Sequence, residues 1–177
     1  RLIPMPQKIE IQGAVRLSCT DIDLTVPPSI NPLVRTAEGI LRPLARGRGF
    51  EIRLALTSGD CAADLKEALA GLPNRDQAYA IRPALVKEKF RGLLLAANTP
   101  LGLLYAARTL DQLISAAGAP CRGFDFPQVT VLDWPDLAER GEWGGNAAQD
   151  LAWMADRKLN VVEVHSNLGF NQDGSPQ

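Results

Sequence analysis

The chain has 177 residues, 46% of them hydrophobic and 22% charged, and its 19 basic and 20 acidic residues give a formal net charge of −1. This composition is ordinary for a globular protein, and the length provides one full domain and part of a second. No block of Lys and Arg is present, which argues against a nucleic-acid partner. No apolar run approaches the roughly 18–20 residues that span a bilayer, so no membrane partner is expected.

The spacing of apolar residues predicts alternating strands and helices in the first two thirds of the chain. Phe50–Thr57 alternates strictly, as a half-buried strand does, and Asn31 followed by Pro32 is a typical helix start. The predicted elements in chain order are strands at Lys8–Ile11, Ala14–Ser18 and Asp21–Val26, a helix from Pro32 to about Arg46, a strand at Phe50–Thr57, a short helix after Asp60, strands at Gln77–Leu85 and Lys89–Ala97 joined by a turn at Val86–Glu88, and a long helix after Thr99–Pro100.

These elements predict an α+β fold, with a mostly antiparallel sheet and two long helices packed on one face. In the second long helix, Gly102 and Ala106 are small and lie four residues apart. Small residues at that spacing allow a helix to lie close to a sheet. We therefore interpret them as packing residues and not as a phosphate-binding loop.

After a strand at Phe126–Leu132 the pattern changes. The next predicted elements are a strand, a helix and a strand at Leu137–Trp143, Ala147–Lys158 and Leu159–His165. Such a unit is the repeat of parallel α/β structures. We place the boundary at Asp133–Asp136, which separates an α+β domain at residues 1–133 from a first βαβ portion at residues 137–177.

The cysteines and the single histidine form no recognisable metal or disulfide pattern. Cys19, Cys61 and Cys121 are far apart, odd in number and without CxxC spacing. We predict no metal and no cofactor, and we interpret the cysteines as isolated thiols in or near the core; one disulfide with one free thiol is the alternative. Arg1–Pro4 does not resemble a signal peptide, which fits an intracellular protein, a mature secreted protein or a trimmed chain.

Several motifs, taken together, carry a resemblance to a known family. They are Pro4-Met5-Pro6-Gln7-Lys8, Tyr79-Ala80-Ile81, the Gly-x-x-Tyr-Ala-x-x-Thr-Leu-x-Gln-Leu helix from Gly102 to Leu113, Pro127-Gln128-Val129, Asp133-Trp134-Pro135, Arg140-Gly141, Met154 to Asn160, and His165. This set resembles glycoside hydrolase family 20, the β-N-acetylhexosaminidases. The resemblance implies a small α+β domain before a (β/α)8 barrel, a carbohydrate substrate, and a secreted or periplasmic enzyme.

By this resemblance, Arg140 is the substrate-holding arginine at the end of the first barrel strand, and His165 lies near the sugar. A planar guanidinium suits vicinal hydroxyls, and barrel active sites lie at the carboxyl ends of strands. The alternative for Arg140 is an ion pair with Glu139, Glu142 or Asp136. The alternative for His165 is a hydrogen-bonded structural residue.

Other residues near the second unit admit a structural interpretation. Trp134 and Trp143 suit sugar stacking, although buried aromatics at a domain boundary are commoner. Glu142 and Glu163 lie near strand ends, but neither has a visible carboxylate partner at the separation of about 5–9 Å that glycosidases use. Asp156 and Arg157 are adjacent in the sequence. We expect them to form a solvated ion pair on the outer face of a helix.

The chain departs from the family pattern after two of the motifs. The family usually has Met-Leu-Asp-x-Ala-Arg after Arg-Gly, where this chain has Glu142–Asn146, and Leu-Thr-Asp-Asp after the histidine, where it has Ser166–Phe170. These departures indicate a divergent branch.

In the family the substrate's own acetamido group is the nucleophile, and the Asp-Glu pair that assists it lies on the fourth barrel strand.

The working hypothesis is therefore the N-terminal part of a glycoside hydrolase, with no catalytic residue among the 177 and no hydrolysis by this chain alone. A (β/α)8 barrel needs about 250 residues. One alternative is a non-catalytic packing domain that self-associates through exposed strands at residues 160–164. Another is the accessory domain of a different glycosidase, such as an α-glucuronidase or an O-GlcNAcase-like enzyme.

Overall fold

A computed structural model describes residues 2–115, 123–144, 149–163, 171–173 and 175. The chain divides into two compact units, Arg1–Ala138 and Glu139–Gln177. The strands are β1 (Lys8–Leu17), β2 (Ile22–Thr25), β3 (Phe50–Leu56), β4 (Tyr79–Val86), β5 (Lys89–Ala97), β6 (Phe124–Asp133), β7 (Gly141–Trp143) and β8 (Val161–Glu163). The α-helices are α1 (Pro32–Leu41), α2 (Lys66–Ala70), α3 (Pro100–Ser115) and α4 (Leu151–Asp156).

The first unit is built on a six-stranded sheet in the order β1-β6-β4-β5-β3-β2. The pairs β1–β6, β4–β6 and β4–β5 are antiparallel. The pairs β3–β5 and β2–β3 are parallel. The α+β class predicted from the sequence is confirmed, and the sheet is mixed because α1 carries the chain back to the start of β3 in a β-α-β crossover.

The two faces of this sheet are covered by different helices. Helices α1 and α3 share one buried cluster with apolar side chains of the central strands, among them Ile52, Ile81 and Leu95. On the opposite face, the 3-10 segment Asp60–Leu65 and α2 cover two smaller clusters. Both long helices therefore lie on one face, as predicted.

Helix α1 begins and ends for identifiable reasons. Asn31 Oδ1 accepts a hydrogen bond from Leu33 N–H at 2.9 Å, and Pro32 occupies the first turn. The helix ends at Leu41 and continues only as a 3-10 turn, Arg42–Leu44. The prediction that it runs to about Arg46 is wrong because Pro43 has no N–H to continue the α-helical ladder.

The structure corrects one strand prediction and confirms one turn prediction. The strands predicted on either side of Gly13 form a single strand, β1, with a register irregularity between Ile11 and Gly13. The predicted turn between β4 and β5 is confirmed, with positive φ angles of 49° at Lys87 and 61° at Glu88. That pair of angles is the signature of the tight hairpin turn that matches the twist of its strands.

Helix α3 lies unusually close to the sheet at Gly102. A Cβ atom added there would lie 2.4 Å from Ala78 O and 2.8 Å from Ala97 Cβ. The Thr99 hydroxyl accepts a hydrogen bond from Gly102 N–H at 3.2 Å, so the first turn of the helix is also capped. The prediction that Gly102 is a packing residue is confirmed.

A buried polar network joins four segments of the first unit. Tyr79 donates its hydroxyl hydrogen to Asp133 Oδ2 at 2.6 Å, and its oxygen lies 2.5 Å from Thr109 Oγ1. Asp133 Oδ1 accepts a hydrogen bond from Gln7 N–H at 3.1 Å. Burial, followed by the Asp133 carboxylate, raises the pKa of Tyr79 well above its ordinary value. The entry segment, β4, α3 and the end of β6 are thus joined through one carboxylate.

The side chain of Gln112 secures the entry segment at a second point. Its Oε1 accepts a hydrogen bond from Ile3 N–H at 2.8 Å, and its Nε2 donates to Ile3 O at 3.0 Å. The amide therefore satisfies both backbone groups of one residue, as a neighbouring strand would. Helix α3 holds the entry segment through this side chain.

Two glycines in helices provide a matched stability test. We expect Gly102→Ala to lower the free energy of unfolding by about 1–3 kcal/mol, because the added methyl overpacks against the sheet. At Gly39 in α1 a Cβ would meet nothing within 4 Å, so Gly39→Ala is expected to raise that free energy by about 0.5–1 kcal/mol through helix propensity. Urea unfolding followed by circular dichroism measures both, and a stabilising Gly102→Ala would contradict the close approach.

The Tyr79–Asp133 contact predicts a pH effect with a definite sign. The folded-state pKa of Tyr79 is raised, so its stabilisation is present below the unfolded tyrosine pKa of about 10 and is lost as the pH rises above it. Tyr79→Phe should cost about 1–3 kcal/mol at pH 7, because a buried acceptor loses its donor. It should also flatten the loss of stability above about pH 10.

A double-mutant cycle with Asp133→Asn tests whether the two side chains act together. Interacting residues typically show a coupling of roughly 0.5 kcal/mol or more. Urea unfolding at pH 7 and at pH 10.5 measures it. Strictly additive losses, or an unchanged alkaline slope in Tyr79→Phe, would show that the contact does not stabilise the fold.

Candidate functional site

The second unit contains a parallel strand pair with a helix between its strands. Strand β7 pairs in parallel with β8, with Gly141 opposite Val161, Glu142 opposite Val162 and Trp143 opposite Glu163. Helix α4 lies between them in sequence. Strands β7 and β8 begin later than predicted, and α4 ends before the predicted Lys158. Residues 145–148 and 164–170 lie outside the described part of the chain. The predicted site residue His165 falls in that second range.

Arg140 lies immediately before β7. Its backbone N–H donates to Asn160 Oδ1 at 2.8 Å, and its carbonyl oxygen accepts from Asn160 N–H at 2.7 Å and from Val161 N–H at 3.1 Å. Its guanidinium Nη2 donates to Lys158 O at 2.7 Å. The expectation that Arg140 ends the strand is wrong, because the strand predicted from Leu137 begins only at Gly141. Arg140 therefore links the start of β7 to the segment that leads into β8.

Gly141 is required for the close approach of the two strands. A Cβ atom there would lie 2.0 Å from Val161 O and 2.9 Å from Val161 Cβ. Such distances exclude any larger residue without a shift of the backbone. The Arg-Gly pair thus has a structural role in which both residues connect β7 to β8.

The structure brings a second carboxyl group to Glu142. Glu142, Asp150 and Trp153 line a small open cavity of about 270 Å³. Glu142 Oε2 is buried, and the Asp150 carboxyl group is close enough to hydrogen-bond with the Glu142 side chain. Desolvation and then the Asp150 carboxylate raise the pKa of Glu142 above its ordinary value. Sequence reasoning missed this pair because Glu142 belongs to β7 and Asp150 precedes α4, and no helical or strand periodicity relates the two positions.

The tryptophans have different surroundings. Trp134 is partly buried and packs on the cluster around Leu69 and Ala80. Trp143 is 70% exposed, so the expectation that it is buried is wrong. Trp153 carries the Arg157 guanidinium 4.2 Å from its ring centroid. Arg157 therefore stacks on an aromatic ring, an interaction not anticipated by the predicted pair with Asp156.

The described cysteines differ in their surroundings. Cys19 is buried and Cys61 is exposed, and both are present as thiols; Cys121 lies outside the described ranges. The predicted location in or near the core holds for Cys19, whereas Cys61 lies at the surface. Among the residues that the structure describes, no group of three His, Cys, Asp or Glu could hold a metal ion, and no helix is long and apolar enough to cross a bilayer.

The first unit has two open clefts beside Pro27 and Pro28, with volumes of about 530 and 460 Å³. Two of the arginines that line them are held in ion pairs. Arg42 pairs with Glu38, and the Arg53 guanidinium donates to Glu51 at 2.9–3.0 Å. We therefore place the candidate site in the second unit, around Arg140 and the ends of β7 and β8.

Several β-N-acetylhexosaminidases are among the solved structures that this chain resembles. The β-N-acetylhexosaminidase from Streptomyces coelicolor A3(2) is 21% identical, with a TM-score of 0.63 over 94% of this chain and 35% of that one. The enzyme from Bacteroides fragilis NCTC 9343 is 21% identical, with a TM-score of 0.64 over 93% and 32%. The N-acetyl-β-hexosaminidase from Streptomyces plicatus, solved with Thio-NAglucal, is 19% identical, with a TM-score of 0.62 over 94% and 34%.

At these identities the similarity shows the fold, and the chain spans about a third of the length of each of these structures. No curated protein matches the sequence. The family model for glycosyl hydrolase family 20, domain 2, matches residues 1–134. Because that match includes every strand of the six-stranded sheet and its covering helices, the chain belongs to the glycosyl hydrolase family 20, domain 2, family.

Proposed function

We propose that this chain supplies the accessory domain and the first barrel unit of a β-N-acetylhexosaminidase, an enzyme that removes terminal N-acetylhexosamine from glycans. The observation that carries the proposal is the family-model match over residues 1–134. It is supported by solved hexosaminidases that share the fold over 93–94% of this chain. The family-model match does not favour the alternatives of a packing domain or of another glycosidase.

The proposed division is an accessory domain at residues 1–133 and a barrel portion at residues 137–177. Parallel pairing of β7 with β8 across an intervening helix is the arrangement that a (β/α)8 barrel repeats. Gln77 Nε2 donates to Ala138 O at 2.8 Å, and Asn74 Nδ2 donates to Pro135 O at 2.7 Å. In the first unit, the segment that leads to β7 is thus fixed by hydrogen bonds to the loop before β4.

Within this proposal, Arg140 and His165 are the residues that the family motif assigns to the sugar, and Arg140 lies at the amino end of β7. A guanidinium has five N–H donors in a fixed fork, and the contact to Lys158 O holds that fork in one orientation. An oriented donor set suits neighbouring hydroxyls of a pyranose ring. The role of His165 follows from the family motif alone.

The proposed reaction is retaining and substrate-assisted. The substrate's acetamido oxygen attacks the anomeric carbon and displaces the leaving group, which receives a proton from a carboxylic acid; water then opens the cyclic intermediate. The assisting Asp-Glu pair belongs to a later barrel strand. The residues of this chain orient the sugar.

Self-association through the edges of β7 and β8 stays a prediction, which light scattering tests.

The 177-residue chain alone should give no turnover of p-nitrophenyl N-acetyl-β-D-glucosaminide above the buffer rate. The natural gene product that contains it should release p-nitrophenol from that substrate and not from p-nitrophenyl β-D-glucoside, because the glucoside lacks the acetamido nucleophile. Absorbance at alkaline pH measures both. Hydrolysis by the chain alone, or equal hydrolysis of the two substrates, would contradict the proposal.

Arg140→Ala in that gene product should raise KM roughly 10- to 100-fold, as loss of charged hydrogen bonds does. Arg140→Lys should recover only part of it, because an ammonium lacks the planar fork. Arg157→Ala, which removes the arginine stacked on Trp153, is the control and should keep KM. A fall in Tm with unchanged KM would assign Arg140 a structural role only.

A further inference from the structure

Trp143 and Glu163 are neighbours at the last paired position of the parallel strands β7 and β8. Directly paired residues of adjacent strands place their side chains on the same face of a sheet, about 4.8 Å apart. An indole ring and a carboxylate are therefore side by side. The sequence analysis named the two residues separately, and the pairing of the strands brings them together.

The face that carries this pair is the one opposite α4. Glu142, which precedes Trp143, lines the small cavity with Asp150 and Trp153 on the helix side. Successive residues of a strand point to opposite faces, so Trp143 and Glu163 point away from the helix. The 70% exposure of Trp143 agrees with that orientation, and Glu163 is also exposed.

The pair also lies at the end of the strands where barrel enzymes bind substrate. The two strands run in parallel, β7 ends at Trp143, and Glu163 is the last described residue of β8. Gly144 N–H donates to Glu163 O at 3.1 Å, and Gly144 has a φ of 120°. This hydrogen bond extends the ladder by one step, and the glycine conformation turns the chain away directly after Trp143. The indole is thus held at the carboxyl end of β7.

We propose that Trp143 and Glu163 form a sugar-binding platform for the pyranose ring of a terminal N-acetylhexosamine. The indole face covers the C–H face of the ring, and the carboxylate accepts hydrogen bonds from ring hydroxyls. This inference rests on the proposed function and names two binding residues for it. The platform binds substrate and does not take part in bond cleavage.

The test compares Trp143→Ala and Trp143→Phe in the natural gene product, with N,N′-diacetylchitobiose as substrate. Trp143→Ala should raise KM about tenfold with kcat within about twofold, and Trp143→Phe should raise KM less than about threefold, because an aromatic face remains. Glu163→Gln should raise KM about threefold to tenfold. Trp153→Phe, on the helix side, is the control and should keep the wild-type KM.

Circular dichroism and Tm confirm that each variant folds, and calorimetric titration with N,N′-diacetylchitobiose measures binding independently of turnover. Wild-type KM and wild-type affinity in Trp143→Ala would overturn the platform while leaving the proposed function intact. Absence of hydrolysis by the wild type would overturn the proposed function. If the wild type does not hydrolyse the substrate but binds the sugar, loss of that binding in Trp143→Ala would still support the platform. If the wild type does not bind the sugar, the platform would be overturned.

Discussion

The first unit depends on one buried carboxylate, that of Asp133 at the end of β6. A carboxylate removed from water is costly unless donors surround it. Here the Tyr79 hydroxyl and the Gln7 backbone N–H supply hydrogen bonds from two other segments. Thr109 brings α3 into the same cluster through Tyr79. Because each segment satisfies a polar group of another, they are stable only together, and their relative positions are fixed more tightly than apolar packing alone would require.

This network explains why the motifs that identify the family are structural. Gly102 allows α3 to approach the sheet, Thr109 completes the cluster around Tyr79, and Gln112 holds the backbone of Ile3. None of these contacts requires a ligand. The family match over residues 1–134 therefore reflects how this domain is built. The proposed sugar-binding residues lie in the second unit, where the chain departs from the family pattern.

The sequence predicted which face of each strand is buried better than it predicted how the strands are arranged. Alternation in Phe50–Thr57 was sufficient for β3, but the pattern is the same whether a neighbour runs parallel or antiparallel. Apolar spacing continued past Pro43, so the end of α1 was placed too late. In the candidate site, the Arg-Gly motif was expected at the end of a strand, and it lies at the start of β7. The approach of Asp150 to Glu142 joins two positions that no helical or strand periodicity relates.

The irregularity in β1 has a consequence for solubility. With the strand order β1-β6-β4-β5-β3-β2, β1 is a ten-residue edge strand whose outer backbone groups offer a template for strand addition by another molecule. The break in register between Ile11 and Gly13 interrupts that template at its centre and increases the local twist. Lys8, Glu10 and Arg16 add charges along the same strand. Removing Gln12, the residue between Ile11 and Gly13, would straighten the edge strand. The strand would then present an uninterrupted surface for amyloid-like stacking.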